Sequence, residues 1–165
     1  MAVLPIRFVP EAVLRQKARP VERIDMILLR LLEDMIETMY EARGIGLAAP
    51  QVGISKRVIV VDIGDGPICL INPKLDELEG EEVGPEGCLS IPGVQGEVKR
   101  AAKLVARGVD EQGRKVRIPA EGLLARVFQH EVDHLDGRLF TDLASDIRDG
   151  TRQGQEEEEE EEVEA

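Results

Sequence analysis

Two histidines are all this chain has, and they stand four residues apart in Gln129-His130-Glu131-Val132-Asp133-His134. On an α-helix, positions four apart differ by roughly 40° around the axis, so His130 and His134 share a face and can hold one ion. Glu131 lies about 60° from His134 on the same wheel, close enough to meet a water bound to that ion. Two imidazoles leave a site incomplete, so a third ligand is sought among Cys, His, Asp and Glu. Cys88 is the strong candidate: in Glu86-Gly87-Cys88-Leu89-Ser90 the glycine permits close backbone approach, and a thiolate can bind metal. Three protein ligands leave a fourth position open for water, the pattern of a catalytic rather than a structural site. Metal would draw that water's pKa toward neutrality, and Glu131 would accept its proton and later pass it to a leaving amine.

The negative oxygen created by such an attack needs hydrogen-bond donors. Gly44-Ile45-Gly46-Leu47-Ala48-Ala49-Pro50-Gln51, uncharged and ending in one amide, can supply them, although as a motif it is loop structure first and a site element by association. It lacks the third glycine and the preceding strand of a dinucleotide site. Two other readings use the same residues. An HExxH metallopeptidase cutting internal peptide bonds would take its third ligand from a His or Glu downstream, and no His follows His134. A closed, structural metal site would need a fourth protein ligand, for which Cys69 is the spare thiol; within Ile68-Cys69-Leu70-Ile71 a buried strand position is the simpler account.

These residues need elements to hold them. Over residues 23–43, Ile24, Ile27, Leu28, Leu31, Leu32, Met35, Met39 and Tyr40 recur at three- and four-residue steps, which predicts an amphipathic helix stopped by Gly44. Residues 44–53 are turn-rich. Residues 57–63, with Val58-Ile59-Val60-Val61, predict a buried strand, 64–66 a turn and 68–71 a second strand. Alternation returns over 93–119, where 103–107 and 115–118 flank a turn at 110–113 and predict an antiparallel hairpin. Residues 120–135 are helical in period, and Gly137 ends them. The grouping predicts an α+β fold: antiparallel strands packed around a central C-terminal helix carrying HExxH, with an amphipathic N-terminal helix.

A chain of 165 residues can bury one respectable core but is short for two independent domains. With no Trp and one Tyr, that core must come from Leu, Ile, Val, Ala and Met. The eight glutamates between Glu156 and Glu164 supply two thirds of the formal net charge of −12. The body is therefore only mildly acidic, which argues against an electropositive track for a phosphate backbone, and no nucleic-acid motif is present. Residues 1–145 are expected to form a single catalytic domain and 146–165 an acidic, disordered tail, because a block of like charge repels itself. No run approaches the ~20 apolar residues of a membrane span and the N-terminus has no stretch of signal-peptide length. A soluble, cytoplasmic protein without a membrane partner is expected.

Three segments in fixed order, GIGLAAPQ, EGCLS and QHEVDHLDG, closely resemble the three signature motifs of the peptide deformylase family, and the similarity runs from about residue 4 to 143. The resemblance implies a metal-dependent hydrolase that removes the N-formyl group from the N-terminal methionine of newly synthesised proteins and releases formate. It implies that Cys88, His130 and His134 bind one divalent ion and that Glu131 is the general acid/base. The Gln51 side chain and the Leu89 backbone N–H would stabilise the oxyanion. The peptide would lie as an added strand near Ile45, Gly46 and Gly87, its methionine side chain against Ile45, Leu123, Val127 and the His130 ring. Fe2+ is the implied metal, with Ni2+, Co2+ or Zn2+ able to replace it. The implied partner is the formyl-methionyl nascent polypeptide, near the ribosome; the oligomeric state stays open. Arg126 stands where relatives often have an apolar residue and Gln95 where some carry Arg, so both are expected to bear on how the peptide beyond methionine is held. The acidic tail replaces a basic C-terminal helix of some relatives, so no ribosome contact through that element is implied.

Overall fold

Asp25 opens the first long element: its side chain accepts the Leu28 N–H, and helix α1 runs Met26–Glu41. The computed structural model describes residues 2–150. Leu28, Leu32, Met35 and Met39 are buried along one side of α1 and pack against β1 (Gly46–Ala48) and β2 (Val58–Val61). Strands β3 (Ile68–Glu79), β6 (Lys103–Val109) and β7 (Lys115–Glu121) complete an antiparallel sheet in the order β1-β2-β3-β6-β7. Helix α2 (Gly122–Leu135) follows β7 and lies against the same sheet.

The two helices occupy opposite faces. Val58 and Val60 pack in the cluster with α1, whereas Ile59 and Val61 pack with Ala125, Val127 and Phe128 of α2. Successive strand residues point to opposite faces, so the uninterrupted Val-Ile-Val-Val run is what a strand covered on both sides requires. All four are fully buried.

A second antiparallel sheet, ordered β4-β5-β8, is built from β4 (Glu82–Cys88), β5 (Ile91–Arg100) and β8 (Ser145–Asp149). Leu14, Ile91, Val98, Leu139 and Phe140 form the apolar cluster beneath it.

The α+β class and the central helix agree with expectation, and four local features differ. Residues 44–53 contain β1 and a 3-10 turn at Ala49–Val52, not turn alone. Strand β3 continues past Ile71 to Glu79 through positive-φ residues Asn72 and Glu77, where its register with β6 shifts. Strand β4 went unread because Gly-Pro-Glu-Gly carries almost no strand preference; it is held by its ladder to β5. Finally, β8 crosses the expected domain boundary at 145/146. Its five residues are exposed, yet Gln95↔Arg148 and Val94↔Asp149 pair it to β5, so the domain extends to Asp149. The disorder expected of residues 151–165 lies outside the described residues. Among those described, no helix is long and apolar enough to cross a membrane.

Candidate active site

Helix α2 is buried from Val127 through Glu131, polar residues included. The five-stranded sheet covers one side, while Glu86 of β4 and Phe140 meet His130 on the other. A helix wrapped on most sides has no solvated face for its polar groups, so each needs a partner within the protein. Gln129 pins the helix to the β5–β6 connection: its amide accepts from Ala101 N–H at 2.9 Å and donates to Ala101 O at 3.0 Å. At the far end Arg57 donates to Leu135 O at 3.0 Å and pairs with Asp136.

Cys88, His130 and His134 converge, with one ligand atom from each lying within 4.8 Å of the others. Cys88 Sγ is 3.3 Å from His134 Nε2. The His130 ring is held by three neighbours: Nδ1 meets Glu86 Oε1 at 2.8 Å, His134 packs edge-on at 5.0 Å between centroids, and Phe140 stacks at 6.0 Å. Nδ1 donates its proton to the Glu86 carboxylate, which fixes the ring so that a cation would take Nε2 in place of the second proton.

The electrostatics favour a cation. Burial opposes charge on His130, but Cys88, Glu86 and Glu131 outweigh it and raise the imidazole to about 10. His134, buried and beside His130, is lowered and stays neutral. Burial raises Glu131 to about 7 even though His130 opposes the shift, which suits an exchange of protons near neutrality. Its Oε1 is buried with no partner, as are His134 Nδ1 and Glu37 Oε2. A soft thiolate and two imidazoles suit a divalent transition metal, and the residues fit such a group.

Gln51 is oriented by its own backbone neighbourhood: Oε1 accepts from Ala48 N–H at 3.0 Å, so the NH2 group points at Ser90 Oγ (3.2 Å) and Cys88 Sγ (3.5 Å). Leu89 is the first residue of the two-residue turn between β4 and β5. Ile45, Gly46, Gly87, Leu123 and Val127 all line one cleft of about 940 Å³ together with Gln51, Cys88, Leu89, His130 and Glu131. Gly46 has a steric reason: a Cβ there would run into Glu131 Oε2 and lie 2.9 Å from Val127 Cγ1. Only glycine lets β1 pass that close to the carboxylate.

The alternative with a fourth protein ligand is excluded by position. Cys69 is on β3 in the core with Val58, Val60 and Ile71, and burial pushes its thiol to about 12. Arg126 and Gln95 both line the cleft, Gln95 opposite Gly87 on the ladder, and the Arg126 guanidinium is turned beneath β4.

Sequence reasoning missed Glu86, Arg100, Asp133 and Ser90. Arg100 binds both oxygens of Glu86 at 2.9 Å and donates to Asp133 at 2.5 Å. One signal existed: Glu86 and Cys88 are two apart and therefore share a face if their segment is a strand.

An α+β fold wrapped around a buried HExxH helix, with a Cys from a neighbouring strand and an open cleft, defines a metal-dependent hydrolase. The comparisons agree. The family described as Polypeptide deformylase matches residues 3–149. Peptide deformylase of Carboxydothermus hydrogenoformans is 53% identical over 147 residues, covering 89% of this chain and 97% of the relative. That of Halothermothrix orenii is 56% identical over 144 residues, covering 86% and 94%. Among solved structures, the Thermotoga maritima peptide deformylase superposes with a TM-score of 0.86 at 45% identity, over 88% of this chain and 99% of that one. The Synechococcus elongatus enzyme in complex with actinonin gives 0.84 at 49%, over 87% and 79%. This chain belongs to the polypeptide deformylase family, metal-dependent hydrolases that remove the N-formyl group from nascent proteins.

Proposed function

We propose that Cys88, His130 and His134 hold one divalent cation for deformylation, Fe2+ by preference and Ni2+, Co2+ or Zn2+ as substitutes. The observation that carries this is the convergence of three ligand atoms beside a buried carboxylate with a partnerless oxygen. When bound, the ion supplies Lewis-acid polarisation and makes water acidic enough to be deprotonated near neutral pH.

The residues of this chain do the rest. Glu131 takes the proton of the attacking water as a C–O bond forms at the formyl carbon. It then hands that proton to the amine nitrogen as the C–N bond breaks, giving formate and a free N-terminus. Gln51 Nε2 and the Leu89 N–H donate to the carbonyl oxygen as negative charge builds there. Ile45, Leu123, Val127 and the His130 ring enclose the methionine side chain, an unbranched thioether suited to a narrow apolar pocket. Backbone groups at Ile45, Gly46 and Gly87 pair with the peptide as an added strand between the β1 and β4 edges. The substrate is the formyl-methionyl nascent chain, met in the cytoplasm near the ribosome, and actinonin should compete for the same cleft.

The test is formate release from a short formyl-Met peptide, with protein reconstituted anaerobically with Fe2+ or Ni2+. Metal-dependent turnover supports the assignment. No turnover in folded, metal-loaded protein would overturn it.

A further inference from the structure

Arg126 stands on α2 one turn before His130 and lines the cleft together with Leu123 and Val127. Its guanidinium is nevertheless withdrawn from solvent, the side chain being 11% exposed. Nη1 donates to Glu86 Oε2 at 2.7 Å and Val98 O at 2.9 Å, and Nη2 donates to Glu82 O at 3.0 Å. Nη1 also lies 3.5 Å from Gly84 O.

Glu86 is thereby gripped at both oxygens. Oε1 accepts from His130 Nδ1 at 2.8 Å and Arg100 Nη2 at 2.9 Å; Oε2 accepts from Arg100 Nε at 2.9 Å and from Arg126. Arg100 is shared, because it also binds Asp133. Two carboxylates therefore face two guanidiniums, and Arg126 supplies the second positive charge. Without it, Glu86 and Asp133 would divide one cation between them, and Oε2 would keep one donor in place of two. A buried carboxylate with a missing donor re-aims to recover one, and the oxygen free to move here is bonded through the same carboxyl to the His130 contact.

We propose that Arg126 is a positioning residue for His130: by clamping Glu86 Oε2 it keeps Oε1 on His130 Nδ1, and so keeps Nε2 presented to the cation. The inference rests on the assignment of Cys88, His130 and His134 as ligands. Groups that orient a ligating histidine typically change metal affinity or activity 10–100-fold.

The experiment loads wild-type, Arg126→Met, Glu86→Gln and doubly substituted protein with nickel, then follows nickel transfer to a chromogenic chelator. Methionine keeps an apolar stem in the cleft wall and removes every donor. Arg126→Met should release nickel about tenfold faster or more, with a smaller change in KM for a formyl-Met peptide, and Arg126→Lys should fall between it and wild type. In the Glu86→Gln background the Arg126→Met effect should shrink toward nothing, because the carboxylate it acts through is gone. Release at the wild-type rate overturns the proposal. So does an undiminished effect in the Glu86→Gln background, which would make Arg126 only a strap on β4 through Glu82 and Val98. If Arg126→Met does not fold, Arg126→Gln, which keeps a neutral donor, carries the same test. Wild-type protein that binds no nickel would instead remove the ligand assignment itself.

Discussion

Three titratable side chains divide the chemistry of this molecule by environment. Glu131 has no donor on Oε1 and sits in a buried pocket beside His130. Replacing it with Gln keeps the shape and the proposed ligands but removes the proposed proton acceptor. Glu131→Gln should retain its metal, measured by atomic absorption, and lose about 10²–10⁴-fold in kcat; retained activity would sink the mechanism. Cys88 is partly exposed beside the histidines, whereas Cys69 is buried and raised to about 12. A thiol reagent should therefore modify Cys88 in metal-free native protein and spare Cys69 until unfolding. The folded Cys69 thiol keeps its proton above the ordinary value of 9.0, so its contribution to stability is whole below pH 9.0 and is lost as pH rises toward about 12. Urea midpoints should fall more steeply over that window for wild type than for Cys69→Ala. Ferrous enzyme held in air should lose activity faster than the nickel form, because a redox-active ion held by the proposed ligands would lie beside a thiolate. Equal half-lives would count against iron as the labile component.

At the level of elements, two glycines set how closely the segments approach one another. Gly46 brings β1 against Glu131, and a Cβ there would collide with the carboxylate. Gly46→Ala should displace Glu131, the proposed general base, and lower kcat/KM by about 10²-fold with metal content unchanged, since misplacement near 1 Å costs that much. Gly137 ends α2 with φ +72 and abuts Arg15 O, where a Cβ would lie 2.5 Å away. Gly137→Ala combines left-handed strain with a backbone clash and should destabilise by about 2 kcal/mol or more, read from the urea midpoint. Both helices were legible because three- and four-residue apolar steps survive in Met26–Glu41 and Gly122–Leu135. Strand β4 was not, because Gly-Pro-Glu-Gly has neither the alternation nor the branched side chains of a strand, and only its partner β5 makes it one.

Taken whole, the molecule is a five-stranded sheet with a helix on each face, and a small second sheet that closes over the HExxH helix. The second sheet carries Cys88 and Glu86, and its outer strand β8 brings Arg148 to the cleft wall. Truncation at two points distinguishes the role of β8 from that of residues 151–165. Ending the chain after Gly150 should leave turnover of short formyl-Met peptides within about twofold, and a larger loss would show that residues 151–165 take part. Ending it after Ala144 removes β8, strips β5 of its ladder partner and takes Arg148 from the cleft. That form should have a lower melting temperature and a higher KM, because an unpaired edge loses its hydrogen bonds and invites association.

The kind of candidate site is legible in the sequence before any folding is considered. Helical spacing alone puts His130 and His134 on one face with Glu131 beside them, and the scarcity of histidine and cysteine leaves few other ligands to choose from. The α+β class is legible too, since local periodicity is set by which faces must be buried. What those residues touch depends on how the elements pack. Glu86, Arg100, Asp133 and Arg126 are far apart along the chain and meet only because β4 and β5 fold over α2. Gln51 turns its NH2 group toward Cys88 only because Ala48 claims its oxygen. Contacts of this kind depend on which strand edges lie side by side, and that is a property of the packed sheets rather than of any one segment's pattern.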